Sequence, residues 1–383
     1  MRKINVSRPV LYVSMALSAA VLVYLAWVVS LPPAPAPAPA PAISQQETQA
    51  TLTALAPPKR QRPLVAIIGL NDATETTDYL MPYGILRRSG VAEVMALSTG
   101  PGPVKLYPAL TVEADATTAQ FDAQHPQGAD YVIVPAMSRD DEPRVLAWIR
   151  AQAAKGATVI GVCAGAKVVG AAGLLDGKRA TTHWYYLNDL LERTPSIRYV
   201  PDRRFVVDGR VATTTGISAS MPMALTLIEA IAGREKAAEV ARGLGLAQWD
   251  ARHTSAAFRF TRPFALTVMG NTLAFWNREE WGIELSRGVD EVSLALVADA
   301  WSRTYRSRAI TFAAAPGAIE SRNGLRVWPD RIGANWPAPQ RLPAVSGQPP
   351  AHALNEALAQ IDRRYGAATA RVVAMQLELA PAP

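Results

Sequence analysis

Cysteine is nearly missing: the 383 residues hold one, Cys163, together with only four histidines. A single cysteine closes no internal disulfide and builds no multi-cysteine metal site, and the scattered histidines offer no ligand spacing instead. The sequence therefore gives no reason to expect a metal or a cofactor. Charge of one sign is also in short supply. Thirty-nine Lys and Arg against 32 Asp and Glu leave a net charge of +7. The basic residues come in small groups such as Arg203-Arg204 and Arg303/Arg306/Arg308, not in a block. No nucleic-acid partner is expected from such a distribution. Extended disorder is excluded as well, since 49% hydrophobic and 19% charged residues make an ordinary globular mixture.

Long apolar runs are equally rare, with one exception at the N-terminus. After Arg2, Lys3 and Arg8, an uncharged stretch from Pro9 to Leu31 carries Val, Leu and Ala with Tyr12, Tyr24 and Trp27. Just over twenty residues suffice to cross a hydrocarbon core of about 30 Å as a helix. The apolar core of a cleavable signal peptide is shorter, roughly 7–15 residues. An uncleaved anchor is the expectation, although the small residues after Ser30 leave cleavage open. The positive charges precede the span and the next is Lys59. Charge bias thus puts the N-terminus in the cytoplasm. The chain after Leu31 is then expected outside the inner membrane, in a periplasm if the cell has one.

Four segments follow from composition: an anchor over 1–31, a linker over 32–62, a main domain over 63–255 and a smaller region over 256–383. Pro32 to Ala42 is a Pro-Ala tract whose fixed φ favours polyproline II, a semi-rigid spacer expected to lift the domain off the membrane. The polar stretch to Arg62 reads as its continuation.

From Leu64 short apolar strands alternate with helices. Leu64–Leu70, Val94–Leu97, Tyr131–Pro135 and Thr158–Val162 read as buried strands, Thr77–Ser89 and Glu142–Ala154 as helices. Gly90 closes the first helix and Gly156 the second. This alternation predicts a parallel sheet sandwiched by helices. Phe205 to Thr213 reads as a hairpin turning at Asp208-Gly209, and Met223 to Gly243 as a closing helix pair.

The chemistry concentrates at Gly161-Val162-Cys163-Ala164-Gly165-Ala166. Small residues on both sides of a nucleophile permit a sharp strand-to-helix turn that lifts its side chain above the sheet. A helix N-terminus there favours the thiolate, which predicts a thiol titrating below the ordinary value of about 8.5. The Ala164 N–H is placed to donate to an oxyanion. A buried structural cysteine would show the same local pattern.

The continuation Ala171-Ala172-Gly173-Leu174-Leu175-Asp176-Gly177 through Thr182-His183-Trp184 resembles the stretch after the nucleophile in the ThiJ/PfpI family. It is similar to the branch found in isonitrile hydratases and in the cysteine domain of AraC-type regulators. Glu75 to Pro82 and Leu86-Arg87-Arg88-Ser89-Gly90 resemble that family's first loop and helix. Asp202 to Gly209 and Thr213 to Ala219 complete the likeness, which covers about residues 63–255. The resemblance implies a flavodoxin-like, class I glutamine amidotransferase-like α/β fold. It implies Cys163 as the reactive residue, Asp78 as the carboxyl that reaches it, and His183 as base or support. It also implies a backbone site for a developing anion at Ala164 and Ala136. Ala136-Met137 stands where many relatives carry glycine, so Met137 is expected to narrow the pocket. Ala164, in place of the threonine common in isonitrile hydratases, argues against that exact activity. Glu75 is expected to face solvent.

Residues 256–383 lack a cysteine but echo the first domain. Ala315 to Asp330 aligns without gaps on Gly100 to Asp115; Val292–Tyr305 resembles the family's first helix, and Tyr365 to Ala374 resembles the closing helix around Gly233 to Ala241. The reading is a shortened, degenerate second copy without the nucleophile strand. Its strand Ala309–Ala313 and the hairpin around Leu325 are expected to share one small sheet beside the first domain. AraC-type relatives carry a helix-turn-helix module, but Ala353–Leu379 lacks a basic recognition face.

The expected function is a membrane-anchored, cysteine-dependent hydrolase or hydratase acting on a small molecule. The alternatives are a non-catalytic sensor with the same pocket, coupled to a membrane partner, and a regulator relative without its DNA-binding module. A homodimer, or pairing with the C-terminal region within one chain, is the expected assembly.

Overall fold

A computed structural model of the chain describes residues 8–36, 38–333, 336–345 and 347–379. Helix α1 (Arg8–Ser30) and helix α2 (Gln45–Ala54) precede the main domain. Tyr12–Ser30 within α1 is the one candidate span among the described residues, with a mean hydropathy of 2.0. A signal sequence passes the same test of length and composition.

The main domain opens with β1 (Leu64–Gly69), β2 (Thr74–Glu75), α3 (Thr76–Ser89), β3 (Glu93–Ser98), β4 (Val104–Tyr107), β5 (Thr111–Val112) and β6 (Ala116–Thr117). It continues with α4 (Thr118–Gln124), β7 (Tyr131–Val134), α5 (Pro143–Ala154), β8 (Thr158–Gly161) and α6 (Gly165–Ala171). Then come β9 (Arg179–Ala180), α7 (Leu187–Arg193), β10 (Arg198–Tyr199), β11 (Phe205–Asp208), β12 (Val211–Thr214), α8 (Ser220–Ala232) and α9 (Arg234–Leu244). Seven strands form one sheet in the order β11-β12-β8-β7-β1-β3-β6, parallel throughout except for the β11–β12 hairpin. Every residue of β1, β7 and β8 is buried. Helices cover both faces of such a sheet, so its central strands read as unbroken apolar runs and not as alternation. Helix α3 starts at an N-cap formed by Glu75, whose side chain accepts from the Asp78 N–H, and stops at Gly90 in the left-handed conformation (φ 70°).

The C-terminal region holds α10 (Arg262–Leu273), β13 (Glu279–Glu284), α11 (Glu291–Ser302), β14 (Ser307–Ala313), β15 (Ile319–Glu320), β16 (Arg326–Trp328), β17 (Arg331–Ile332), α12 (Pro350–Tyr365) and α13 (Ala367–Gln376). Strands β13-β14-β17 make a parallel three-stranded sheet. The hairpin β15–β16 does not join it, contrary to expectation. It extends a five-stranded sheet, β15-β16-β5-β4-β2, by pairing Val327 with Val112 and Trp328 with Thr111 across the two regions. The three short strands β2-β4-β5 of one region and the pair β15-β16 of the other each have an unpaired edge, and the two edges satisfy each other.

Leu64 and Glu279, the starts of β1 and β13, lie 215 positions apart, as do Ala116 and Arg331 at the starts of β6 and β17. The paired residues Val112 and Val327 are separated by the same interval. Helices α3 and α11, also in step, pack directly on each other. At Gly84 the side chains of α11 fill the space a Cβ would take: it would overlap the Glu291 carboxylate and lie 2.7 Å from Val292 Cγ2. Gly366, between α12 and α13, adopts φ 87° and ψ 159°, close to the 85° and 167° of Gly233 between α8 and α9. One hydrophobic core joins residues of both regions, Tyr79 and Leu86 with Leu294 and Trp301 among them.

The linker also departs from expectation. Residues 45–54 form α2, whose Glu47 pairs with Arg203 at 2.6 Å, and the following Leu55 is fully buried. The Pro-Ala tract runs along the domain instead of standing off it: Pro32 O accepts from the Arg262 N–H, and Ala38 O from the Thr254 hydroxyl.

Candidate active site

The strand β8 leads into α6 through Val162, Cys163 and Ala164. Cys163 sits at φ 56°, a left-handed conformation that costs a non-glycine residue on the order of 1–3 kcal/mol. The surroundings hold it there: the Cys163 N–H donates to Thr214 Oγ1 at 2.9 Å, and its carbonyl accepts from Thr182 Oγ1 at 3.0 Å. Gly165 is required, because a Cβ at that position would collide with the Val134 carbonyl oxygen. The elbow expected from the small residues is therefore present, with Cys163 nearly buried at 6% exposure.

Cys163 and Ala164 lie on a cavity of about 630 Å³. Glu75, Ala136, Met137, His183 and Arg303 share its wall, and Trp184, Tyr185, Phe260 and Phe264 make it aromatic on one side. Met137 faces this cavity, as the sequence suggested.

Asp78 is fully buried behind the wall. Its Oδ2 accepts from the Ala136 N–H at 3.0 Å, while Oδ1 has no hydrogen-bond partner. Desolvation, only partly offset by the Ala136 bond and by Arg303, raises its pKa from 3.8 to about 7. The expectation that Ala136 offers its N–H to a substrate anion is corrected by this bond: that N–H is already spent on Asp78. Ala164 is different, since its N–H faces the sulfur and favours the thiolate.

Glu75 is not at the surface but 8% exposed. One oxygen accepts from the Asp78 N–H at 2.6 Å and the Thr77 hydroxyl at 2.8 Å; the other meets Arg303 at 2.8 Å. Arg303 also holds Asp299 at 2.6 Å. Burial and the neighbouring Asp78 push the Glu75 carboxyl well above its usual range. Sequence reasoning missed both Glu75 and Arg303. The signal was there in the spacing: Arg88 and Arg303 are 215 positions apart, and so are Glu75 and Asp290. Arg303 pairs with Glu75, the N-cap of α3, and Arg88 pairs with Asp290, the N-cap of α11, at 3.0 Å. The two regions thus exchange equivalent ion pairs.

These carboxyls reverse the expected thiol titration. Burial first, then Asp78 and Glu75, raise the Cys163 thiol well above its ordinary value, and the Ala164 N–H and Arg303 offset only part of this. The helix after the elbow is too short, and the acids too close, for a dipole to prevail.

His183 shares the cavity but is engaged elsewhere. Its Nδ1 accepts from the Tyr185 N–H at 3.2 Å, and its Nε2 lies 3.0 Å from the Gln376 carbonyl, which requires that nitrogen to carry the proton. Burial lowers its pKa, so the ring is neutral. Acting as base toward Cys163 would require giving up one of these bonds.

A free cysteine on a strained elbow of a doubly wound parallel sheet, with a buried carboxyl beside it, defines a class of nucleophile-elbow proteins. Residues 65–230 belong to the DJ-1/PfpI family. Over 98 residues the chain is 46% identical to the isonitrile hydratase of Pseudomonas putida, which covers 25% of this chain and 41% of that protein. It is 36% identical over 98 residues to the transcriptional regulator CdhR of Pseudomonas aeruginosa, covering 26% of this chain and 29% of the regulator. The crystal structure of Drosophila melanogaster DJ-1beta is 25% identical, with a TM-score of 0.44 over 49% of this chain and all of that one. The match therefore spans less than half of the hydratase and of the regulator.

Proposed function

We propose that the chain is a membrane-anchored, cysteine-dependent hydrolase or hydratase for a small molecule, with Cys163 as nucleophile. The observation that carries this reading is Cys163 held at φ 56° on the floor of a cavity, with the buried carboxyl of Asp78, its pKa raised by desolvation, behind the cavity wall. Backbone strain of this kind clusters at functional sites. In this reading Asp78, whose pKa sits near neutrality, takes the thiol proton as the sulfur attacks and returns it to the leaving atom. The Ala164 N–H donates to the charge that develops. His183 positions the cavity wall, and Arg303 holds the Glu75 carboxyl and offsets part of the rise that burial imposes on it. The C-terminal region is a degenerate second copy that supplies Arg303, the counterpart of a partner subunit within one chain. The helix α1 anchors it with the main domain outside the inner membrane.

A second reading, a binding or sensing module, is favoured by the raised thiol pKa, which keeps the sulfur protonated at neutral pH. The test is turnover. Purified full-length protein is assayed against isonitriles, whose hydration gives formamides, and against simple amides and esters. Product formation that disappears in Cys163→Ala and falls in Asp78→Asn supports the enzyme. Binding of such compounds without product, unchanged in Cys163→Ala, supports the sensor instead.

A further inference from the structure

The chain is uncharged from Pro263 through Asn277, along α10 and the turn after it, between Arg262 and Arg278. The inner face of α10 works for the site: Phe264 is buried, and Phe264 with Val268 walls the Cys163 cavity. Its outer face carries Leu266 and Leu273 and runs on into Phe275 and Trp276. Leu273, Phe275 and Trp276 are 58%, 65% and 70% exposed. Single apolar residues on a surface are ordinary; a contiguous set on one helix face is not. Exposed Arg259, Arg262 and Arg278 bracket it. An apolar stripe with aromatic residues and flanking arginines is the pattern of a helix lying at a lipid headgroup boundary.

The position of α1 supplies an independent observation. Its last turn is seated on the start of α10, where the Arg262 guanidinium donates to the Val28 and Val29 carbonyls at 3.3 and 2.6 Å. Trp27 contacts Phe260 at 5.8 Å between ring centroids, and Phe260 in turn meets Trp184, Tyr185 and Phe264 at 5.3–6.4 Å. Those four residues line the Cys163 cavity. A continuous aromatic path thus joins the end of the apolar span to the cavity that holds the thiol.

We propose that α10 and the Phe275-Trp276 turn lie in the membrane–water boundary, so that the Cys163 cavity opens at the bilayer surface. Its ligand is then an amphiphile that arrives from the lipid: a polar head reaches Cys163 and Arg303, and an apolar tail lies along Phe260, Phe264 and Trp184. This inference rests on α1 being an uncleaved anchor.

The test uses the full chain in nanodiscs of zwitterionic and anionic phospholipid. On a Cys163→Ser background, spin labels are placed by Val23→Cys in the span, Leu273→Cys on α10 and Glu239→Cys on the exposed side of α9. Accessibility to oxygen and to a water-soluble nickel chelate is then compared. Val23 and Leu273 are expected to favour oxygen and Glu239 nickel. Leu273 behaving like Glu239 while Val23 sits in lipid overturns the proposal and leaves the anchor standing. Val23 behaving like Glu239 removes the anchor, and the proposal with it. For the ligand class, alkylation of native Cys163 by N-dodecylmaleimide and N-ethylmaleimide is compared in the same discs. Leu273→Glu/Trp276→Glu is expected to slow the dodecyl reagent about tenfold, the loss of roughly one buried leucine contact, with the ethyl reagent unchanged. Equal rates for both reagents, insensitive to the double substitution, refute an amphiphilic ligand.

Discussion

Replacing Asp78 with Asn should flatten the dependence of folding stability on pH between about pH 4 and pH 7. The unfolded carboxyl loses its proton near 3.8 and the folded one near 7. Between those values the folded state binds more protons than the unfolded state, so the free energy of unfolding falls as pH rises through the window. A separation of about three units corresponds to about 4 kcal/mol, present in full below the lower pKa and lost above the upper one. Asn keeps the acceptor that the Ala136 N–H needs, and its amide nitrogen replaces Oδ1, which has no partner to lose. The variant is therefore expected to match the wild type near pH 4 and to exceed it at pH 8. Urea unfolding of the full chain in detergent, followed by tryptophan fluorescence at a series of pH values, measures this directly. Glu75 and Asp299 shift in the same direction, so some slope should survive. Parallel pH profiles for the two proteins would refute the reasoning, because Asp78 would then be ionised as readily in the fold as outside it.

Three further outcomes are expected. Arg303→Met leaves Glu75 and Asp299 as buried carboxyls without their cation and should cost roughly 3–5 kcal/mol at pH 8. Adding Glu75→Gln should restore part of that loss in the same unfolding assay. A reporter that functions only outside the cytoplasm, fused after Gln61, should be active; activity of a cytoplasmic reporter at that position would reverse the assigned topology. A chain ending near Ser255 loses the helix α11 that covers α3, so gel filtration should find it newly oligomeric or aggregated. A monomeric, stable truncation would make the C-terminal region an independent module.

The features legible in the sequence were those written in local pattern. The unbroken apolar run of β1, the C-terminal glycine of α3 and the small residues around Cys163 are each written within a few positions of sequence. Gly90 takes the left-handed cap expected of it, and the hairpin at Asp208-Gly209 forms between Phe205 and Thr214. What escaped was non-local. Glu75 reads as a surface acid until α11 is packed against α3 and brings Arg303 from 228 positions away. The hairpin around Leu325 has the composition to pair within its own region, yet it pairs with the open edge at Val112 of the main domain. Residues 45–54 carry few apolar side chains and gave no periodic signal; their helix is stabilised by Arg203 and by the burial of Leu55. The thiol was misjudged for the same reason: the elbow is local, but the two acids that set its titration come from the start of α3, and the Arg303 that moderates them comes from the C-terminal region.

The most direct test of the account is the titration of Cys163, because the central claim is that one reactive centre is assembled from both halves of the chain. Rates of alkylation by iodoacetamide are followed against pH in the full chain, with the fold of each variant checked by circular dichroism. The wild-type thiol should titrate above the ordinary value of about 8.5. Asp78→Asn should move the midpoint down and raise the rate at neutral pH, since a negative neighbour is gone. Arg303→Met should move it up and lower that rate, since a cation that lowers the thiol pKa is lost. Opposite shifts from residues 225 positions apart would establish the shared site. An ordinary midpoint that neither substitution moves would contradict it.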